Sequence, residues 1–459
     1  MTPPEPVRPN ILMVMTDQQR WDAMGCVSDW LATPHIDSIA RSGMRFSDAY
    51  TNSPVCIPAR VSLATGRYPH NTGVWENQNK YTLPPETPTW MQTLRGAGYA
   101  TSVFGKTHLH PHTGDLRDRE HLLHAYGLDH VDEIAGPRAT NVARSHMTDR
   151  WEAAGVYAAY QQDSRERFQN KPWVARPTPV PLEHYADVYV GQQAKSYLQQ
   201  YDQTAPWFCW VSFGGPHEPW DAPEPYASMY DPAAMPAPLV AEPSRPQRPR
   251  GVLDRRLRQR PALEPGDVAK MRANYAGNMT LIDDQIGEIL GVLEERGELD
   301  STVIVLVSDH GEMNGDFGLL YKQNFLNPAV RVPFLIKAPG KASGATSATP
   351  VELMDVGATL LDLAGAEQVE GSFAQSLVPV LDDPLRSHRE AALSELSGEV
   401  MLATGEWKVA LNRNGRIYLL FDLVNDPHET RNLAGLPEVE AVAQDLRKLA
   451  LERLIQTAV

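Results

Sequence analysis

Cysteine is scarce in this chain. Cys26, Cys56 and Cys209 are the only three in 459 residues. An odd set so widely spaced excludes a disulfide framework and offers no zinc-like spacing. Long apolar runs are also missing. The N-terminal stretch "MTPPEPVRPNILMVMTDQQR" holds a six-residue run at 10–15, counting Asn10. A secretory leader or a membrane span needs a longer run, so the expectation is a cytoplasmic protein with no membrane partner. Positive charge is in the minority, with 42 Lys and Arg against 57 Asp and Glu and a formal net charge of −15. That balance argues against nucleic acid or an anionic membrane surface as a partner. It does not exclude a small anionic substrate, because distant charge is screened over roughly 8 Å in physiological salt. No internal repeat is visible.

What is present is an alternation. Short, nearly continuous apolar runs stand at 11–16, 99–105, 207–213, 302–308 and 332–338. Runs of this kind suit strands covered on both faces. Helical patterns lie between them, at 33–44 and 269–299. In the second, Leu281, Ile282, Ile286, Ile289, Leu290 and Leu293 follow helical spacing and Gly297 is a stop signal. The alternation predicts an α/β domain built on a large, mostly parallel sheet sandwiched by helices. Residues 216–249 carry ten prolines, which predicts a structured loop or lid. Beyond about residue 376 the pattern changes to a smaller antiparallel sheet, with a hairpin turn at "NRNG" and a final helix from about 436.

Ligands of open α/β sheets collect at the carboxyl ends of strands. Two predicted strands end there in acids, giving Asp17 with Gln18 and Asp309 with His310. Two carboxylates, an amide oxygen and an imidazole at one place would hold a divalent cation. Each alone is better explained as a cap of the following segment. The repetition at two strand ends favours metal. Cys56 lies in "NSPVCIPARVSLATGRYP". Pro58 suits the first turn of a helix and Gly66 its end. The thiol would then sit at a helix N-terminus, where free N–H groups favour anions, with Arg60 one turn on. A buried structural cysteine is the bland alternative.

With these residues in view, the chain resembles a type I sulfatase of the alkaline phosphatase superfamily. "CIPAR" matches the Cys-x-Pro-x-Arg signature, and "LATGRYPHNTG" continues it. "MTDQQR", "GKTHL", "PHEP", "SDHGE" and "FDLVNDPHETRNLAG" follow in the family's order, so the resemblance spans residues 10–435. It implies an alkaline phosphatase-like catalytic domain at 1–375, with a variable lid region at about 109–265, and a small α+β subdomain at 376–459. It also implies that a formylglycine-generating enzyme, a transient partner, oxidises Cys56 to formylglycine.

The resemblance then assigns roles. Asp17, Gln18, Asp309 and His310, with modified Cys56, become ligands of one divalent cation. Gln18 in place of the family's more frequent Asp lowers the site charge by one. Calcium is favoured, and the imidazole keeps manganese open. Arg60 stabilises the modified residue and Lys106 binds a sulfate oxygen. His108 is the base that releases sulfate in a two-step covalent reaction. His217 and Lys322 meet the leaving oxygen, and Asn77 contacts sulfate, with Gln78 and Asn79 as neighbouring alternatives. The expected substrate is a small sulfate ester, aryl, alkyl, choline or sugar. Trp75, Trp220 and Tyr226 could stack on it or merely pack the core. Assembly of like copies is left open. For His110 and His112 a solvated loop is favoured over a distal metal site. The alternative function is a phosphonate monoester or phosphodiester hydrolase of the same superfamily, towards which Gln18 points. A non-catalytic binder of sulfated ligands is the reading from another class.

Overall fold

The computed structural model describes residues 8–78, 80–170, 173–242 and 263–458. Along the chain the strands are β1 (Asn10–Thr16), β2 (Met44–Phe46), β3 (Ala49–Tyr50), β4 (Ala100–Gly105), β5 (His130–Glu133), β6 (Trp207–Ser212) and β7 (Thr302–Ser308). They continue with β8 (Phe334–Lys337), β9 (Ala345–Ser347), β10 (Val351–Glu352), β11 (Ala392–Leu396), β12 (Glu399–Ala403), β13 (Trp407–Leu411) and β14 (Ile417–Asp422).

The main sheet has eight strands in the order β5-β4-β6-β1-β7-β8-β2-β9. Its centre is parallel: β1 runs beside β6 and β7, β6 beside β4, and β4 beside β5. Burial explains the unbroken apolar runs. Along β1, Ile11, Met13 and Met15 enter one core, while Leu12 and Val14 enter the core on the opposite face. A strand covered on both sides has no polar face to alternate. The run at 332–338 becomes β8, which is antiparallel to β7 and so makes the sheet mixed. Strand direction leaves no mark on hydrophobicity.

The helix Pro265–Glu295 carries the six predicted apolar residues inward, and all are buried. The Pro34–Ser42 helix matches the pattern at 33–44. The proline-rich segment is described to residue 242. It forms short 3-10 turns and joins the main body through Leu239, whose N–H donates to Asp316 at 2.8 Å and whose carbonyl accepts from Phe317 N–H at 2.7 Å. Its remainder to 249 lies outside the described residues. The strands β11 to β14 form the expected antiparallel sheet, with Asn412–Gly415 turning between β13 and β14. The last helix runs Glu440–Thr457, after a 3-10 turn at Pro437–Val439. No helix among the described residues is long and apolar enough to cross a membrane.

Candidate active site

The site lies past the carboxyl ends of β1, β4, β6 and β7. Asp17 follows β1 and Asp309 follows β7, and because these strands pair in register from Asn10 with Thr302 to Thr16 with Ser308, the two acids emerge side by side. Cys56 opens the helix Cys56–Thr65, which Gly66 ends in a left-handed conformation with φ 66°. Lys106 follows β4. The last residue of that strand, Gly105, has φ 106°, and a Cβ there would lie 1.9 Å from the Ser212 carbonyl oxygen. Only glycine lets β4 and β6 close up at this point and deliver Lys106 to the site.

Asp17, Cys56, Asp309 and His310 are buried, and their ligand atoms all lie within 4.8 Å of one another. Cys56 Sγ is 3.0 Å from His310 Nε2. The other ring nitrogen, Nδ1, is 3.0 Å from the Gly311 carbonyl, to which it donates. That leaves Nε2 as the nitrogen facing the group. Burial would lower the ring's pKa, but Asp309 and Cys56 outweigh it and leave it raised. Arg60 reaches under the acids: its Nε donates to Asp309 Oδ2 at 2.8 Å, and one terminal nitrogen lies 3.5 Å from Asp17 Oδ2. Its other terminal nitrogen holds the Lys106 carbonyl at 2.6 Å. Two buried acids with an imidazole nitrogen make a donor set that could hold a divalent cation. Burial would raise Asp17, but Lys106, His217 and Arg60 outweigh it and hold the carboxyl well below its usual range.

The fifth predicted ligand is arranged differently. Gln18 is buried, with its amide nitrogen donating to Glu218 Oε2 at 2.7 Å and also to Glu312. Its amide oxygen accepts from Lys322 Nζ. Glu218 and Glu312 thus fix the amide, and a cation would share the Gln18 oxygen with Lys322.

On the open side, a cavity of about 640 Å³ is lined by Cys56, Asn77, Lys106, His108, His217 and Lys322, together with Arg138 and Tyr321. Each predicted catalytic or substrate-contacting residue other than Arg60, which lies beneath, therefore borders this one cavity. Lys106 Nζ pairs with Asp17. Lys322 Nζ is 2.8 Å from His217 Nε2, whose Nδ1 donates to the Glu218 carbonyl at 2.6 Å. Asn77 Oδ1 accepts the Ile57 N–H at 2.9 Å and so also holds the first turn of the Cys56 helix. Asn79 lies outside the described residues. Burial would raise the Cys56 thiol, but Lys106, Lys322 and His310 outweigh it and hold it far below its ordinary value. Burial, with the Lys106 ammonium nearby, holds His108 down to about 3, so this imidazole is neutral. A larger cavity of about 1070 Å³ opens at the other end of the sheet, by Asn10, Trp207 and Val303, and holds none of the predicted site residues.

One expectation needs correction. His110 and His112 are not in a solvated loop. They are 1% and 5% exposed and converge on Glu133, at the end of β5. His110 Nε2 lies 2.7 Å from Glu133 Oε2, and His112 Nε2 lies 3.2 Å from Oε1. The Gly136 N–H donates to His112 Nδ1 at 3.1 Å, so His112 is a neutral ring that donates through Nε2. Glu133 also accepts from Thr107 Oγ1. It is thus the hub of the segment carrying Lys106 and His108, and the His112 ring lies 4.5 Å from the His108 ring and nearly parallel. The only sequence hint was histidine repeated in "HLHPH" without a visible acid. Of the two readings open for the aromatic residues, stacking on a substrate is not met: Trp75, Trp220 and Tyr226 do not line the cavity, and Trp220 and Tyr226 pack in or against the core. Trp220 instead backs the lining residue Tyr321, ring on ring at 6.0 Å and 7°. A second cluster, His35 with Asp283 and Asp284, is accounted for by Asp283, which caps the Pro34–Ser42 helix at the N–H groups of His35 and Ile36.

The sulfatase family model matches residues 9–366. The chain belongs to the sulfatase family. A model described as the C-terminal part of N-sulphoglucosamine sulphohydrolase matches residues 315–457, which include the antiparallel sheet. This sulfatase is 28% identical to an arylsulfatase of Clostridium perfringens, over 98% of this chain and 95% of the other. It is 29% identical to a choline-sulfatase of Rhizobium meliloti, over 94% and 83%. Its fold matches a phosphonate monoester hydrolase from Silicibacter pomeroyi with a TM-score of 0.78 at 26% identity, covering 98% and 96% of the two chains. The alkaline phosphatase-like architecture expected from the sequence is therefore present, and the sulfatase is a sulfuric ester hydrolase.

Proposed function

We propose that this sulfatase cleaves a small sulfate ester into sulfate and an alcohol or phenol, using formylglycine made from Cys56 and one divalent cation, calcium before manganese. The observation that carries the reading is the position of Cys56 between a buried ligand group and a cationic cavity wall. Residues 17, 18, 56, 309 and 310 would hold the cation, which supplies charge stabilisation for sulfate oxygens. Formylglycine, as its hydrate, supplies the attacking oxygen and a route for expelling sulfate.

The chain's own residues do the rest. Lys106 offers its ammonium to a sulfate oxygen, and Asp17, its present partner, is among the residues that would hold the cation. Lys322 and His217 form a hydrogen-bonded pair that delivers a proton to the leaving oxygen. His108, neutral because buried among cations, takes the proton that must leave residue 56 before sulfate can go. Arg60 fixes both acids and the Lys106 backbone. Asn77 is the proposed additional sulfate contact. A formylglycine-generating enzyme is the implied transient partner.

The phosphonate monoester reading is favoured by Gln18 and by the solved relative of that activity. Lys106 and His108 favour sulfate. Intact-protein mass spectrometry should find Cys56 converted, and Cys56→Ala should lose turnover. Phenyl sulfate should exceed phenyl phenylphosphonate in kcat/KM. Lys106→Ala should penalise the sulfate more, by about 1–3 kcal/mol of transition-state stabilisation. Equal losses, or a wild-type preference for the phosphonate, would transfer the assignment.

A further inference from the structure

One cation on the cavity wall has no task in cleaving a simple sulfate monoester. Such an ester carries a single negative charge, which Lys106, Lys322 and the metal group already face. Arg138 lines the same cavity with its side chain 47% exposed. It is held on several sides. Glu218 pairs with one edge of the guanidinium. The Phe168 and Tyr321 rings lie 4.8 and 5.1 Å from its central carbon, and Trp220 backs Tyr321. Rings that fix the guanidinium plane in advance reduce the entropy lost when a planar anion docks on the fork.

The competing explanation is that Arg138 only neutralises Glu218. That carboxylate is already shared: it accepts from Gln18 at 2.7 Å and lies 3.3 Å from His217 Nδ1. Glu218 is also 2% exposed, whereas its supposed counter-ion stands half open to the cavity. A counter-ion alone would be expected to bury with its partner.

We infer that Arg138 recognises a second anionic group, so that the substrate is a sulfate ester whose alcohol or phenol portion itself carries a carboxylate or a further sulfate. The inference rests on the sulfatase reading. It departs from what the choline-sulfatase relative would suggest. A quaternary ammonium needs open aromatic faces, and Tyr321, the aromatic ring lining this cavity, is covered by a guanidinium.

The test compares 3- and 4-sulfooxybenzoate and 1,4-phenylene disulfate with the methyl esters of the benzoates and with choline sulfate. An ester group withdraws electrons more strongly than a carboxylate, so the methyl esters have the better leaving groups. Any preference for the acids must therefore come from binding. Wild-type kcat/KM is expected to favour a doubly anionic substrate over the methyl ester by roughly tenfold or more. Whether the carboxylate or the second sulfate gains more identifies the anion. Arg138→Gln should bring that ratio close to one, and Arg138→Lys, which keeps charge without the fork, should leave it intermediate. A wild-type ratio near one for both isomers and the disulfate, a ratio that survives in Arg138→Gln, or choline sulfate as the better substrate would overturn the inference. If no sulfate ester is turned over, the sulfatase reading fails separately. Calorimetric titration of Cys56→Ala with the same acids and methyl esters then decides the Arg138 question by binding alone.

Discussion

Single residues at this site act through the carboxylates that hold them. Lys106 and His108 sit on a loop whose shape is set by Glu133, which gathers Thr107, His110 and His112. His108 has a positive φ of 59°, a conformation that a non-glycine residue keeps only where its surroundings impose it. Glu133→Gln keeps the volume and one acceptor but removes the charge that pairs with His110. The expected outcome is a kcat lowered roughly ten- to hundredfold through misplacement of the base. KM for an activated aryl sulfate should change less than kcat, because Arg60 also holds the Lys106 carbonyl and Lys322 and His217 are held elsewhere, by Gln18 and Glu218. Steady-state kinetics of the pure variant check this, and a defect in KM alone would make Glu133 a residue of the binding surface. Asp17, Cys56, Arg60, Asp309 and His310 were legible in the sequence because each lies in a short motif tied to a strand end or a helix start. Glu133 was not, because its partners come from a different loop and only the β4–β5 pairing brings them together.

At the scale of elements, the C-terminal helix is tied to the catalytic body by a titratable contact. His70 Nδ1 lies 2.7 Å from Glu395 Oε1 on β11, and Nε2 lies 3.1 Å from the Thr457 carbonyl at the end of the last helix. Both ring nitrogens face acceptors, so the contact is complete only when the ring is protonated. Burial would lower the His70 pKa, but the Glu395 hydrogen bond and charge outweigh it and leave it raised. A raised folded-state pKa gives stability that is fully present below the unfolded value and lost as pH rises through the folded one. Wild type should therefore melt above His70→Gln by a larger margin at about pH 5.5 than at about pH 9. A margin that is constant with pH would show that the imidazolium contributes nothing to docking. Strands buried on two faces and long amphipathic helices were readable because their periodicity is strong. The two- and three-residue strands β2, β3, β9 and β10 were not, since pairing by neighbours, rather than local preference, makes them strands. The polar sequence of β5, His-Val-Asp-Glu, hid a strand for the same reason.

For the whole molecule, the formal charge of −15 is a poor guide to the site, whose walls carry Lys106, Arg138 and Lys322. What joins the two scales is the sheet. Its parallel strands bring Asp17 and Asp309 to one point, and buried like charges there oppose folding unless cations balance them. Arg60 balances part of this permanently, and Lys106 can turn its ammonium onto Asp17. Loss of the metal should therefore loosen the molecule without unfolding it. A chelator is expected to lower the midpoint of thermal unfolding by a few degrees, following the linkage between ligand binding and stability. Readdition should restore it, with calcium effective at lower free concentration than magnesium because the group mixes several donors without demanding a strict octahedron. Lys106→Ala should enlarge the chelator-induced shift, because the stand-in cation is then gone. Scanning calorimetry with elemental analysis of the purified protein measures all three effects. A midpoint indifferent to chelator, in protein shown to have carried metal, would mean that the lysine and arginine alone satisfy the acids and that the ion contributes nothing to the stability of the fold.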